Sequence, residues 1–250
     1  DILQVDNSNS GVDTTVRTIK DGEGTSSALH ISDDSVRVQP INDDTTSALM
    51  VRAASGANVL LVDTTNQLVV ASGNNVNTQY ATFSIGNTES TAFLTNTHHP
   101  LVYSGANYAS ASSIPDLFGT GTDPATSYTT ADAIKDRASD LVPCLWYVND
   151  DISIDAIKSI EGADNATGDT TRMHLFSYDF TSGATSCLTN GTLLGHNSDV
   201  TNAGSEQPYL STWTVDSAAV SAGKVILAFF RSDSVNSDYS IQVTVKYHLT

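Results

Sequence analysis

Histidine is the first side chain to consider for catalysis or metal binding, because its imidazole titrates near neutral pH and binds transition metals. The sequence contains six histidines: His30, His98, His99, His174, His196 and His248. None has the spacing of a metal-binding motif such as H-E-x-x-H. Adjacent side chains in an extended segment point to opposite sides, so a metal site on His98 and His99 lacks a third ligand. We expect structural or surface roles for all six.

Clustered acidic residues are the second candidate, because Ca²⁺ binds several oxygen ligands at once. The clusters are Asp33-Asp34, Asp43-Asp44, Asp150-Asp151 and the DNATGD segment from Asp164 to Asp169. No segment matches the D-x-[DN]-x-[DN]-G loop. Asp and Asn also close tight turns by hydrogen bonding to their own backbone. An ordered cation and a set of tight turns both remain open, and we favour the turns.

Motifs of known enzyme classes are missing from the sequence. It contains no G-x-S-x-G elbow, no Walker loop and no dinucleotide fingerprint, and the GTGTD run at 119–123 lacks the flanking strand and helix of a phosphate-binding loop. We therefore expect no enzyme activity, no catalytic residue, no cofactor and no metal ligand. One alternative stays open: two carboxylates that meet in a groove and cleave a glycan are invisible in a single sequence.

Composition limits the partners. With 28 acidic and 11 basic residues the net charge is −17, which argues against nucleic acid or an anionic membrane because phosphate binding needs a basic surface. No apolar run approaches the ~18 residues of a membrane span. The two cysteines, Cys144 and Cys187, are too few for a disulfide framework. We expect them to be unpaired and buried.

Residues 1–97 contain short apolar runs separated by turn-forming residues. LQVDNSN at Leu3 is similar to LLVDTTN at Leu60, and SALHI at Ser27 is similar to SALMV at Ser47, but the offsets between them differ. Strands of four or five residues bury little surface, and an isolated hairpin is marginal in water. We predict that LLVDTTNQLVV is one layer of a shaft or collar, whose Leu and Val side chains pack against other copies about a threefold axis.

Residues 98–143 are predicted to be a linker, because proline and glycine interrupt regular structure there. A short helix is predicted at Thr129–Asp140, with Thr130 as its N-cap and Pro143 after its end.

Residues 144–250 are predicted to form an antiparallel β-sandwich, jelly-roll-like, because longer alternating strands are separated by turns about every ten residues. The alternation points Ile152, Ile154 and Ala156 to a core. After one slip in register, Ile157 and Ile160 are also expected to point there. In TRMHLFSYDF, Met173 and Leu175 lie on one face and His174, Phe176 and Tyr178 on the other, so both faces are expected to be covered. The whole chain is therefore predicted to be all-β.

Aromatic residues divide by context. Trp146 and Trp213 lie in apolar strands and are expected in the core. Four tyrosines lie in polar, loop-like segments, where an exposed ring suits protein or sugar contacts: Tyr103, Tyr108, Tyr128 and Tyr209.

A family resemblance rests on two parts of the chain. LLVDTTNQLVV, preceded by SALHISDDSVRV, resembles the short repeated units of bacteriophage tail-fibre and related virion surface proteins. The strands from LWYVNDDISIDAIKSIEGAD to YSIQVTVKYHL resemble the terminal β-domain attached to such repeats. The resemblance implies a homotrimer on the surface of the virion that contacts other tail or capsid proteins and a host glycan or protein.

The resemblance leaves three functions to compare. The leading expectation is a non-enzymatic tail fibre or spike that mediates host attachment. The few, irregular repeats depart from a long fibre and leave room for a capsid decoration protein. A glycan-cleaving spike is the third possibility.

Overall fold

The computed structural model describes residues 3–6, 11–86, 95–104, 124, 127–130, 137–164, 167–204, 207–234 and 238–250, without the side chains of residues 164 and 238. Nearly all of the regular structure in these ranges is antiparallel strand. The predicted all-β class is therefore confirmed. Contacts divide the chain into two compact units, residues 1–77 and residues 78–250.

The N-terminal unit contains two four-stranded antiparallel sheets, in each of which every strand pairs with the next one along the chain. The first sheet comprises β1 (Gln4–Val5), β2 (Arg17–Lys20), β3 (Ser26–Ile31) and β4 (Val36–Val38). The second comprises β5 (Leu49–Arg52), β6 (Asn58–Asp63), β7 (Leu68–Ala71) and β8 (Asn74–Asn75). The similar runs SALHI and SALMV belong to the third strand of one sheet and the first strand of the other, so they are not equivalent positions of a repeat.

The stretch LLVDTTNQLVV forms a β-hairpin within one chain. Asp63 at the end of β6 pairs with Leu68 at the start of β7. The Asp63 carboxylate closes the turn by accepting hydrogen bonds from the backbone N–H of Asn66 at 2.9 Å and from its Nδ2 at 2.8 Å. These bonds hold the pKa of Asp63 below its usual value. Completion of this hairpin by two other chains remains a prediction.

The described residues of the N-terminal unit form no hydrophobic core of their own. Among its described residues, only His30 and Asp63 are buried, and no hydrophobic side chain is. Twelve large hydrophobic side chains between Leu3 and Val76 are exposed to solvent. Because apolar burial is the main driving force of folding, packing within this unit supplies little of the stability that a folded domain needs.

The C-terminal unit consists of two antiparallel sheets packed face to face, a sandwich-like arrangement. The six-stranded sheet comprises β9 (Thr78–Ile85), β11 (Val102–Tyr103), β13 (Ile152–Asp164), β17 (Tyr209–Thr212), β19 (Ala219–Val220) and β21 (Asp238–Leu249). The seven-stranded sheet comprises β10 (His99–Pro100), β12 (Trp146–Tyr147), β14 (Thr170–Phe180), β15 (Leu188–His196), β16 (Val200–Thr201), β18 (Thr214–Val215) and β20 (Lys224–Ser232). Jelly-roll connectivity remains a prediction.

The seven-stranded sheet is covered on both faces, as predicted from β14. Met173 and Leu175 pack into the main core, between the two sheets. Phe176 and Tyr178 point the other way, into a second core with the buried Cys144 and other residues. Trp146 and Trp213 are buried in the main core, as predicted. Cys144 and Cys187 are buried and form no disulfide, as expected for both.

A β-bulge in β13 resets which side chains face the core. The pairing of β13 with β21 shifts by one residue between Ile154 and Ala156, so that Ile154 and Ile157 both point inward and are buried. A slip in register was predicted between Ala156 and Ile157. The observed shift lies before Ala156, so Ala156 is only partly buried and lines the outer side of the sheet, and its predicted place in the core was wrong. After the bulge the alternation is strict, and Ile160 is therefore exposed rather than in the core. The prediction for Ile160 was wrong because an apolar residue was assumed to point inward.

Domain and helix boundaries differ from those expected. The division of contacts falls after Asn77 rather than after residue 97, since β9 pairs along its whole length with β21. Within the predicted linker 98–143, β10 and β11 belong to the two sheets of the C-terminal unit.

The predicted helix is shorter than expected where the structure describes it. Helix α1 covers Ala138–Leu141, with Arg137 as its N-cap, and is followed by a 3₁₀ turn at Val142–Cys144. Thr130, the predicted N-cap, instead donates a hydrogen bond from its hydroxyl to the backbone O of Thr185. Residues 131–136 of the predicted helix lie outside the described residues.

A substitution at Gly195 in β15 tests how closely the two sheets pack. A Cβ at this position would lie 2.6 Å from Cδ1 of Ile157 and 2.8 Å from the backbone O of Thr214. We expect Gly195→Ala to lower the free energy of unfolding by about 1–3 kcal/mol, measured by urea denaturation, because the neighbouring strands must move. Gly162→Ala in β13 is the control, since nothing lies within 4 Å of its added Cβ. Equal stability of the two variants would contradict this account of the packing.

Candidate functional site

The outward-facing side of the six-stranded sheet carries a shallow depression of about 520 Å³. We call it the lysine face, and define it by Tyr80, Lys158, Ile160, Leu210, Gln242, Thr244 and Lys246. These residues come from the four adjacent strands β9, β21, β13 and β17. None of the described residues that line the depression is acidic.

Strand register explains why these side chains lie together. One row across the sheet pairs Tyr80 with Lys246, and the next pairs Thr244 with Lys158. A third row pairs Gln242 with Ile160 and Ile160 with Leu210. Tyr80, Ile160 and Leu210 are 64%, 50% and 69% exposed. The lysine face therefore combines two cations and two polar side chains with three exposed apolar groups.

A second depression, the histidine cleft, lies on β14, β15 and the segment that follows β15. It is lined by His174, His196, Asn197, Arg172, Asp199, Ser198 and Leu193. Arg172 and Asp199 form an ion pair, which holds the pKa of Asp199 below its usual value. Asn197 is buried and accepts a hydrogen bond from the backbone N–H of Met173 at 2.6 Å, while its Nδ2 has no described partner.

A hydrogen bond joins two buried histidines beside this cleft. His98 is fully buried, and burial, followed by the charge of His174, lowers its pKa to about 3. His98 is therefore neutral, and its Nε2 lies 3.0 Å from Nδ1 of His174. Nδ1 of His98 has no described partner, and an unpaired buried donor is costly. We therefore infer that the proton of His98 lies on Nε2, which donates a hydrogen bond to Nδ1 of His174.

His196 is oriented by a carboxylate. Its Nδ1 lies 2.7 Å from Oδ2 of Asp216, so in the neutral imidazole Nδ1 donates this hydrogen bond and Nε2 carries the lone pair. An imidazole held in this way suits a general base. Among the described residues, no hydroxyl or thiol makes a hydrogen bond with that nitrogen, so no activated nucleophile accompanies it. Structural or surface roles were expected for His98, His174 and His196, and the structure brings the three together around this cleft.

Glu161 is a buried acid that sequence reasoning missed. It is 2% exposed, on β13 after the bulge, and the hydroxyl of Thr171 lies 2.8 and 2.9 Å from its two carboxyl oxygens. Burial raises the pKa of Glu161 to about 7, and the bond from Thr171 only partly opposes this effect. The sequence did contain a signal for this: strict alternation counted from the inward-facing Ile157 places Glu161 on the inner face.

Three of the four tyrosines predicted at the surface are described. Tyr128 is buried in the second core, so its prediction was wrong. Tyr103 is partly buried and stacks on Trp146, with ring centroids 5.8 Å apart. The Tyr209 hydroxyl accepts a hydrogen bond from the backbone N–H of Ala203 and donates one to Oε1 of Gln207. Tyr108 lies outside the described residues. The exposed ring of Tyr80 was not predicted.

The acidic clusters do not assemble into an ion site where the structure describes them. In the described ranges, no three or more His, Cys, Asp or Glu side chains are placed to hold a metal ion. At other turns aspartate bonds to the nearby backbone, as at Asp21, which accepts from the N–H groups of Glu23 and Thr25. Part of the DNATGD segment, including the side chain of Asp164, is not described.

No protein-family model matches the chain, and no curated protein is significantly similar to it. None of the helices in the described ranges has the length and apolar character needed to cross a membrane. The basis for a functional proposal is therefore the set of contacts and exposed surfaces given above.

Glu161 makes stability depend on pH. A folded-state pKa of about 7, above the ordinary 4.5, means that the folded state holds this proton more tightly than the unfolded state does. The contribution to stability is therefore complete below pH 4.5 and is lost as the pH rises toward 7. We expect Glu161→Gln to be more stable than the wild type at pH 8 by about 3 kcal/mol, and equally stable at pH 4, in urea denaturation.

A control isolates this effect. Asp150→Asn replaces an exposed carboxyl in a turn, and its stability should follow that of the wild type at both pH values. If Glu161→Gln and the wild type kept a constant difference in stability between pH 4 and pH 8, the titration of Glu161 would not be the cause.

Proposed function

We propose that this protein is a non-enzymatic structural component of a bacteriophage virion, a homotrimeric tail fibre or spike that mediates host attachment. The observation that carries the proposal is the exposed apolar surface of the N-terminal unit. The sequence resemblance supplies the class of protein, and the exposed apolar surface supports the trimer.

The second N-terminal sheet is apolar on both faces. Register places one set on the first face: Leu49, Val51, Leu60, Val62 and Val69. The opposite face carries Met50, Leu61, Leu68 and Val70. A sheet with two apolar faces needs cover on both sides, since single-faced antiparallel sheets alternate apolar and polar residues. Other copies of the chain are the cover that this proposal assigns.

Charge argues against two other classes of partner for this surface. The chain has 28 acidic and 11 basic residues, so nucleic acid and anionic membranes are repelled. Exposed apolar patches of this kind commonly mark protein interfaces. In a trimer, three C-terminal units are held together, so weak contacts of each unit with a host surface gain by avidity.

The solution mass tests the trimer. Light scattering on the purified chain should give about three times the 26.4 kDa of one chain, because the apolar faces of the N-terminal unit are buried between copies. Interlocked chains should also resist heat and detergent. A stable monomer at micromolar concentration, with residues 1–77 folded, would overturn the proposal.

A point substitution tests which surface holds the copies together. Val51→Asp places a charge on an exposed apolar face of the second N-terminal sheet, and we expect a smaller mass and loss of heat resistance because the charge must be desolvated. Val142→Asp is the control, since Val142 is 62% exposed against 47% for Val51 and belongs to the C-terminal unit. Dissociation by both variants or by neither would argue against this interface.

Binding assays separate the attachment role from capsid decoration. A fibre or spike should bind host cells and leave purified capsids unbound. A decoration protein should bind capsids and not cells, and that result would replace host attachment with the alternative function.

A further inference from the structure

We propose that the lysine face is a binding site for an acidic oligosaccharide, one that carries carboxylate or sulfate groups. The inference rests on the proposed attachment role and names the chemistry of the ligand. Three properties of the lysine face support the inference: its charge, its size and the types of its side chains.

Charge is the first argument. Lys158 and Lys246 lie on adjacent strands in adjacent rows, a diagonal placement with about 7–8 Å between the Cα atoms. Two like charges this close repel each other. The chain has only 11 basic residues beside 28 acidic ones, yet two converge here, and none of the described lining residues is acidic. The lysine face therefore complements an anion, against the sign of the whole molecule.

Size is the second argument. The lysine face spans four strands and three rows, which corresponds to about 14 by 13 Å, or roughly 200 Å². A stable protein interface buries about 800 Å² on each partner. The lysine face is thus about a quarter of what a second copy or another folded protein needs, and it matches a short, flat ligand.

Side-chain chemistry is the third argument. Thr244 and Gln242 offer hydroxyl and amide groups between the two lysines and the apolar side chains, and these groups both donate and accept hydrogen bonds, as sugar hydroxyls require. The exposed ring of Tyr80 gives a flat surface for the C–H face of a sugar. Ile160 and Leu210, paired across β13 and β17, extend this apolar floor. A simple inorganic anion would use the lysines alone.

The test uses two probes with the same sugar backbone, one with carboxylates and one with neutral methyl esters. Trigalacturonic acid and its fully methyl-esterified form are titrated into the full-length protein by calorimetry. We expect binding of the acid, weakened by added salt, and at least tenfold weaker binding of the neutral ester. Lys158→Gln and Lys246→Gln should each weaken binding of the acid about tenfold, the loss expected for one charged hydrogen bond.

Two further variants serve as comparisons. Lys224→Gln is the matched control, because Lys224 lies on the other sheet and pairs with Asp179, and it should leave binding unchanged. Tyr80→Ala should weaken binding of the acid but not the binding of inorganic sulfate.

Several outcomes overturn the inference. They are no binding of the acid, equal binding of acid and ester, equal weakening by Lys224→Gln, or no effect of Tyr80→Ala. Loss of oligomers in Lys158→Gln and Lys246→Gln would assign the lysine face to contacts between copies instead. Light scattering on the same samples separates the two proposals: a trimer that does not bind the acid refutes only this inference, and a monomer that binds it refutes only the trimer.

Discussion

The β-bulge between Ile154 and Ala156 determines what the six-stranded sheet presents on each side. Because side chains alternate along a strand, one extra residue transfers every later residue to the opposite face. After the bulge Ile157 points inward against Gly195, while Lys158 and Ile160 point outward. The same shift encloses the carboxyl of Glu161 between the sheets. The lysine face and the buried acid are thus two results of one backbone irregularity.

The sequence was sufficient for features that depend on local alternation. The two-sided burial of β14, the buried tryptophans and the slip in register before Ile157 could all be predicted from the spacing of apolar residues. Ile160 could not, because its apolar character suggested the core while its register placed it outside. Tyr128 lies in a polar stretch, but it pairs with Leu188 in an isolated bridge and fills the second core. Such long-range contacts leave no local pattern.

The candidate sites could not be predicted from the sequence either, because they also depend on long-range contacts. Lys158 and Lys246 are 88 positions apart, and only the pairing of β13 with β21 brings them together. His98 and His174 are 76 positions apart and meet through β10 and β14, which flank β20 on opposite sides. Neither set has a motif, because each strand contributes only one to three residues. The lack of a core among the described residues of the N-terminal unit was easier to anticipate, since short strands with few large side chains have little surface to bury.

The pairing of β9 with β21 has a mechanical consequence. Strand β9 follows the N-terminal unit directly, and its first residue, Thr78, pairs with His248 near the end of the chain. A pull transmitted along the backbone through Asn77 therefore enters the sandwich at one end of eight consecutive residue pairs. If the opposing load acted on the C-terminal end of β21, those pairs would open one after another. If the ligand proposed for the lysine face bore the load instead, β9, β21, β13 and β17 would share it, and several hydrogen bonds would have to fail together.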